Sequence, residues 1–217
     1  MRKLIVNAFV SLDGVMQSPG GPEEDPTGGF AHGGWAVSYF DDEMMSRMAD
    51  SGPYELLLGR GTYEIFAAHW PHDSGPIADH LNATRKHVAT TTLDELEWSN
   101  STPITGDVAE RVAALKREDG AEIQVHGSPG LIQTLLEHDL IDELRIWTFP
   151  LVIGAGKRLF GDGSIPVALR LVDSDVSATG VTINVYERSG TIESGSFEFD
   201  QPTEAEIERR KRLAAGG

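Results

Sequence analysis

Two stretches of this chain share one grammar: an apolar run ends in small residues and passes at once into a helical pattern. In the first, Leu58 leads into Gly59-Arg60-Gly61-Thr62-Tyr63-Glu64; in the second, Val125-His126 leads into Gly127-Ser128-Pro129-Gly130-Leu131. The Thr90-Thr91-Thr92 end of another apolar run is a looser case. A strand that opens directly into a helix returns to its sheet by a crossover, the connection that parallel strands require. The pattern therefore predicts an α/β fold, a mostly parallel central sheet flanked by helices.

Hydrophobic periodicity fills in the order. Strands are expected at 4–12, 55–58, 86–90, 122–126 and 143–150, and helices at 41–49, 63–69, 108–117 and 131–138. Two closing strands, 167–174 and 180–187, are expected to run antiparallel. Thr62 is placed to cap the second helix and Asp107 the third. The nearly unbroken apolar run at 4–12 predicts a central strand buried on both faces.

Residues 17–38 hold Pro19, Gly20, Gly21, Pro22, Pro26, Gly28, Gly29, Gly33 and Gly34 and read as a loop. At roughly 20 residues it is longer than compact domains usually carry without a use for it. A flexible surface insertion is one reading. A lid over an active site is the other, and Phe30, Trp35, Tyr39 and Phe40 favour it. A second glycine-rich loop is expected at 155–163. In the tail, 201–217, Glu204, Glu206 and Glu208 precede Arg209, Arg210, Lys211 and Arg212, an order that suits a helix dipole. A domain at 1–190 with a partly helical extension at 191–217 follows.

Composition narrows the chemistry. The 217 residues fit one domain with decorations. With 18 Lys+Arg against 34 Asp+Glu the net charge is −16, which argues against nucleic acid or an anionic membrane as partner. Zero cysteines exclude disulfides, thiolate nucleophiles and Cys-ligated metals. His69 and His72 lack a third partner at ligand spacing, so no metal site is expected. No targeting or bilayer-spanning segment is visible, and a soluble, cytoplasmic chain is expected.

Anion binding is the chemistry left standing. Glycine lets a phosphate approach the backbone, and a helix N-terminus favours its charge. Arg60 adds a bidentate fork, Thr62, Thr90, Thr91, Thr92 and Ser128 add hydroxyls, and the Arg85-Lys86 pair is a second source of local cations. Singly, each turn is ordinary punctuation between strand and helix. Together they point to a phosphorylated cofactor or substrate.

In order and spacing, five segments resemble the dihydrofolate-reductase-like family. They are Ser11-Leu12-Asp13-Gly14, the Leu58 to Glu64 turn, Gly127-Ser128-Pro129-Gly130-Leu131, Leu140-Ile141-Asp142-Glu143-Leu144, and Pro150 with Gly154, Gly156, Leu159 and Phe160. The branch they resemble most contains the reductase domain of the bifunctional riboflavin-pathway deaminase–reductase. The resemblance implies an eight-stranded α/β sandwich binding NADPH across the strand ends. Gly59, Arg60 and Thr62 would then hold phosphates, Thr90 and Thr91 would lie near the 2′-phosphate, and Gly127, Ser128, Gly130 and Leu131 would cradle the pyrophosphate. Ala8 and the Asp13-Gly14 turn would flank the nicotinamide. On the substrate side Trp35 and Asp41 would occupy the places of a lid tryptophan and a ring-binding carboxylate. Asp41 and Asp42 serve equally well as first-turn acids of their helix. A proton could come through water near Asp41 or Asp13.

The expected function is NADPH-dependent reduction of a small heterocycle or carbonyl compound by a homodimer. The rivals are a nucleotide-binding module without turnover and an interaction protein working through the tail.

Overall fold

The computed structural model describes residues 1–49, 52–93, 95–161, 164–197 and 201–215. Among them eight strands form one sheet: β1 (Leu4–Ser11), β2 (Tyr54–Gly59), β3 (Lys86–Ala89), β4 (Ser101–Ile104), β5 (Glu122–His126), β6 (Glu143–Phe149), β7 (Leu169–Val176) and β8 (Thr182–Arg188). Their spatial order is β4-β3-β2-β5-β1-β6-β8-β7. The first six of these are parallel, and β8 runs antiparallel to both β6 and β7. The α-helices among the described residues are α1 (Asp42–Ala49), α2 (Arg60–His69), α3 (Pro76–Ala83), α4 (Val108–Arg117), α5 (Pro129–Glu137) and α6 (Glu204–Ala215). The fold class read from the sequence is the one the chain adopts.

Alternation along each strand sorts the side chains onto two faces. Leu4, Val6, Ile123, Val125 and Leu144 share one face and pack against Val112 and Leu115 of α4 and Leu131, Ile132 and Leu135 of α5. Each fully buried Leu or Ile there contributes roughly 1.5–3 kcal/mol. The other face is split. Leu56, Leu58 and Val88 lie under Tyr63 of α2 and Leu81 of α3, whereas Phe9, Trp147 and Phe149 lie under Met44 of α1 and the 17–38 loop.

Two elements have no counterpart in the sequence pattern. Helix α3 buries only Ala78 and Leu81 and is started by Pro76, so its apolar stripe is two residues long. Strand β4 reads Ser-Thr-Pro-Ile and lies at the sheet edge, where Pro103 needs no outer partner. A third difference concerns capping. Gly59 is the N-cap of α2 and Thr62 lies inside its first turn, so Thr62 does not cap. Asp107 does cap α4, accepting the Glu110 N–H at 2.9 Å.

The 17–38 loop is held by its own polar groups. Gln17 Nε2 donates to the carbonyls of Asp25 and Thr27 at 2.9 Å each, and Trp35 Nε1 donates to Gln17 O at 2.7 Å. Lys157 Nζ closes the outside on Asp25 at 2.6 Å. At Gly33 a Cβ would lie 2.5 Å from Gly21 O, so the loop folds onto itself only with glycine there.

Edge strand β7 is largely exposed, and its pairing with β8 slips at a bulge between Leu171 and Asp173. Helix α6 buries no residue. The last residues of the glycine-rich loop expected at 155–163, and of the tail expected at 201–217, lie outside the described residues.

Candidate active site

The small-residue turns meet at the carboxyl ends of the parallel strands. The Gly59 N–H donates to Ser128 Oγ at 2.9 Å, and a Cβ on Gly127 would lie 3.5 Å from Thr62 Oγ1. Arg60 Nη1 donates to Thr92 Oγ1 at 3.0 Å, drawing in the end of β3. Gly127 and Ser128 have φ of 61° and 63°. Glycine takes this left-handed conformation freely, and the serine does so at a cost of about 1–2 kcal/mol. The double reversal starts α5 at the rim. Neither α2 nor α5 has a side-chain cap, so their first-turn N–H groups stay free for an anion. A groove of about 720 Å³ continues from this rim between α4 and α5, lined by Arg60, Thr90, Thr91, Gly130, Leu131 and His138 among others.

Across the rim, on the divided face, aromatic rings form a wall. The Phe9 ring lies 5.4 Å from both Phe40 and Trp147, and Phe149 packs edge-on to Trp35 at 5.2 Å. Asp41 caps α1, its Oδ1 accepting the Met44 N–H at 2.8 Å. Its Oδ2 is buried with no hydrogen-bond partner. Asp42 is exposed. One oxygen of this carboxylate thus caps the helix, and the other is buried without a partner.

Other expected residues are placed differently. The Asp13 carboxylate accepts from Ser11 Oγ at 2.6 Å, from the Ile153 N–H at 3.1 Å and from the Gly154 N–H at 2.8 Å, with Arg158 at 3.4 Å. The Ser11 hydroxyl, followed by the two backbone N–H groups, holds this carboxyl far below the usual carboxylate range. Such a group holds the loop after β6 and has no proton to give near neutral pH. Ala8 is 1% exposed, with its methyl in the core facing α4 and α5, so only its backbone is available to a ligand. The Gly14 N–H donates to Ser11 O at 2.9 Å and closes the turn after β1.

The Arg85-Lys86 pair does not serve the rim. Lys86 opens β3 at the opposite end of the sheet and is wholly buried. Its Nζ donates to the carbonyls of Thr84 at 2.6 Å, Ser99 at 3.1 Å and Asn82 at 3.3 Å, and lies 4.1 Å from the Trp98 ring centroid. Burial pushes its ammonium down to about 8.

A polar chain missed by the sequence reading crosses β1 and β5. Gln124 Oε1 accepts from Asn7 Nδ2 and from His126 Nε2, each at 2.9 Å, and Gln124 Nε2 donates to Glu122 at 2.6 Å. Asn7 and Gln124 are 117 residues apart in the chain, and only strand register joins them.

Residues 2–183 match the RibD C-terminal domain family. The chain belongs to that family. Its family and fold are those of reductases. The chain is 25% identical over 198 residues to the uncharacterised protein YyaP of Bacillus subtilis (strain 168), covering 87% of this chain and 96% of YyaP. It is similar in fold to a Shewanella sp. PV-4 protein assigned to riboflavin biosynthesis, with a TM-score of 0.62 and 22% identity over 86% of this chain and 99% of that one. It is also similar to the dihydrofolate reductase of Enterococcus faecalis solved with NADP(H), with a TM-score of 0.55 and 16% identity over 86% of this chain and 96% of that one. No helix among the described residues is long and apolar enough to cross a membrane.

Proposed function

We propose that this RibD C-terminal family member is an NADPH-dependent reductase of a small nitrogen heterocycle or carbonyl compound. The observation that carries the reading is the meeting of two uncapped helix N-termini, α2 and α5, through the Gly59–Ser128 hydrogen bond. Gly59, Arg60 and Thr62 would hold phosphate on one side of that contact and Gly127, Ser128, Gly130 and Leu131 on the other. Thr90 and Thr91 would face the 2′-phosphate in the groove beside Arg60. The backbone of Ala8 and the Gly14 turn would flank the nicotinamide, which supplies hydride when bound.

The chain's own work is orientation and exclusion of water. The 17–38 loop, fastened through Gln17 and Trp35, covers the aromatic wall. Asp41 Oδ2, buried and without a partner, would accept a hydrogen bond from a substrate N–H. Asp13 positions the loop after β6. As part of this reading the protein is a homodimer, for which exposed Leu171, Val172 and Val176 on β7 offer apolar surface.

Titration by cofactor fluorescence tests the reading. NADPH is expected to bind more tightly than NADH, and Arg60→Ala to weaken NADPH at least about tenfold while changing NADH less, since a charge-assisted contact is worth roughly 1.5–3 kcal/mol. Binding of neither nucleotide would remove the proposal.

A further inference from the structure

Two pieces cover the aromatic wall, and they are held on very different terms. The 17–38 loop is stapled inside and out. Beyond the Gln17 and Trp35 bonds, the Lys157 N–H donates to Gln17 Oε1 at 3.0 Å, the Gly20 and Gly21 N–H groups donate to Glu24 at 2.6 and 3.1 Å, and the Gly34 N–H donates to Ser18 O at 2.8 Å. A Cβ on Gly156 would lie 2.7 Å from Val15 and 3.0 Å from Phe30, so the loop after β6 presses directly on this one. A segment with so many internal bonds and so close a neighbour is costly to open.

Helix α1 is the opposite case. Met44 is its buried residue, Met48 and Ala49 are half-buried, and Met45 is turned outward. Its start is pinned. Asp41 caps it, Thr179 Oγ1 donates to the Tyr39 carbonyl at 2.6 Å, and the Phe40 ring lies 5.4 Å from Phe9. Its far half is tied by an ion pair between Arg47 and Asp175 of edge strand β7, and Arg47 also meets Glu43 at 3.0 Å. All three side chains are exposed, and a pair of that kind is weak and screened by salt.

What lies beneath gives this contrast its meaning. Met44 and Met48 belong to the cluster of Phe9, Trp147 and Phe149, while α1 also touches α3, whose Leu81 belongs to the cluster of Leu56, Leu58 and Val88. The helix thus reaches from one cluster towards the other, over the strip where register sets His126, Asn7 and Arg145 side by side. Asn7 and His126 keep partial solvent access there, so the strip is the floor of a cleft. Turning α1 about its pinned start would uncover that floor and leave the packing of α2 and α3 in place.

We propose that α1 is the gate of this cleft: it swings about Phe40 and Asp41, Arg47 on Asp175 latches it, and the 17–38 loop stays in place as a fixed wall. The device goes beyond the reductase reading and stands without it, because it concerns access and not what enters. The frequency of opening then depends on ionic strength, through a pair that lies at the outer edge of the sheet.

The methionines carry the test in the unmodified full-length protein. ¹³C-methyl labelling places probes under α1 at Met44 and Met48, and at the root of the 17–38 loop at Met16, which is 6% exposed. Relaxation dispersion, read without nucleotide or substrate, is expected to show one μs–ms process shared by Met44 and Met48, with Met16 flat. Asp175→Asn removes the charge that answers Arg47 and keeps the acceptor that the Val176 N–H uses. It is expected to raise the open population about threefold at low salt. In about 1 M NaCl, where screening acts beyond roughly 3 Å, the wild type is expected to match the variant. A flat Met44 profile, Met16 moving together with Met44, or a wild-type open population in Asp175→Asn would each overturn the proposal. The wild-type profiles decide the matter even if the variant folds poorly. Absence of NADPH binding would sink the reductase reading and leave the gate standing, so the two fail separately.

Discussion

The two ends of the parallel strands are built on opposite terms. At the amino end charges are buried and answered. Arg2 Nη2 meets Glu55 at 2.9 Å, His87 Nε2 meets the same carboxylate at 2.7 Å, Lys116 meets Asp142 at 2.7 Å, and Lys86 is held by three carbonyls. At the carboxyl end the same chain leaves groups unanswered: two helices without side-chain caps, a serine in the left-handed region, and an orphaned Asp41 oxygen. Each end keeps some unsatisfied groups, Ser101 Oγ and the left-handed Asn100 among them at the amino end, but the carboxyl end is where two helix N-termini meet without side-chain caps.

The sharpest way to break this contrast is Glu55→Ala. It strands the buried Arg2 guanidinium and should cost about 3–5 kcal/mol in denaturant unfolding, with NADPH affinity of the folded fraction unchanged. A large loss of nucleotide binding there would mean the ends are not separate. Next in size is a pH effect centred on His126. Folded, the group is held near 4, by burial, then Arg145 and His80; unfolded, it titrates near 6.5. Between those values the unfolded chain takes a proton that the folded chain refuses. Stability is therefore complete above about 6.5 and declines as pH falls towards 4, by at most about 3 kcal/mol. Urea melts across this window should show the decline in the wild type and a flatter profile in His126→Phe. The smallest effect is expected from removing 201–217. With α6 burying nothing, thermal midpoint and NADPH affinity should hold to within the scatter of surface changes, about 0.5 kcal/mol.

What was legible in the sequence was local. Strand β1 and the turns at Gly59 and Gly127 announce themselves through contiguous residues, and the structure adds only that they touch. Helix α3 and strand β4 were illegible because two buried residues in one, and a proline in the other, leave no period to read. Arg85 and Lys86 misled because composition shows a cation but not its end of the sheet. The Asn7–Gln124–His126 chain is invisible for a related reason: register, set by the whole sheet, decides which polar residues become neighbours. Asp41 was readable as a position, while its divided use, one oxygen capping and one spare, needed the coordinates of the helix start.

The slip at Val172 has a consequence for life at high concentration. An uncovered outer strand invites neighbouring molecules to zip onto its backbone and grow into fibrils. The bulge breaks the even spacing of amides, and Arg170, Asp173 and Asp175 flank it with charge, features that work against further strands adding along that margin.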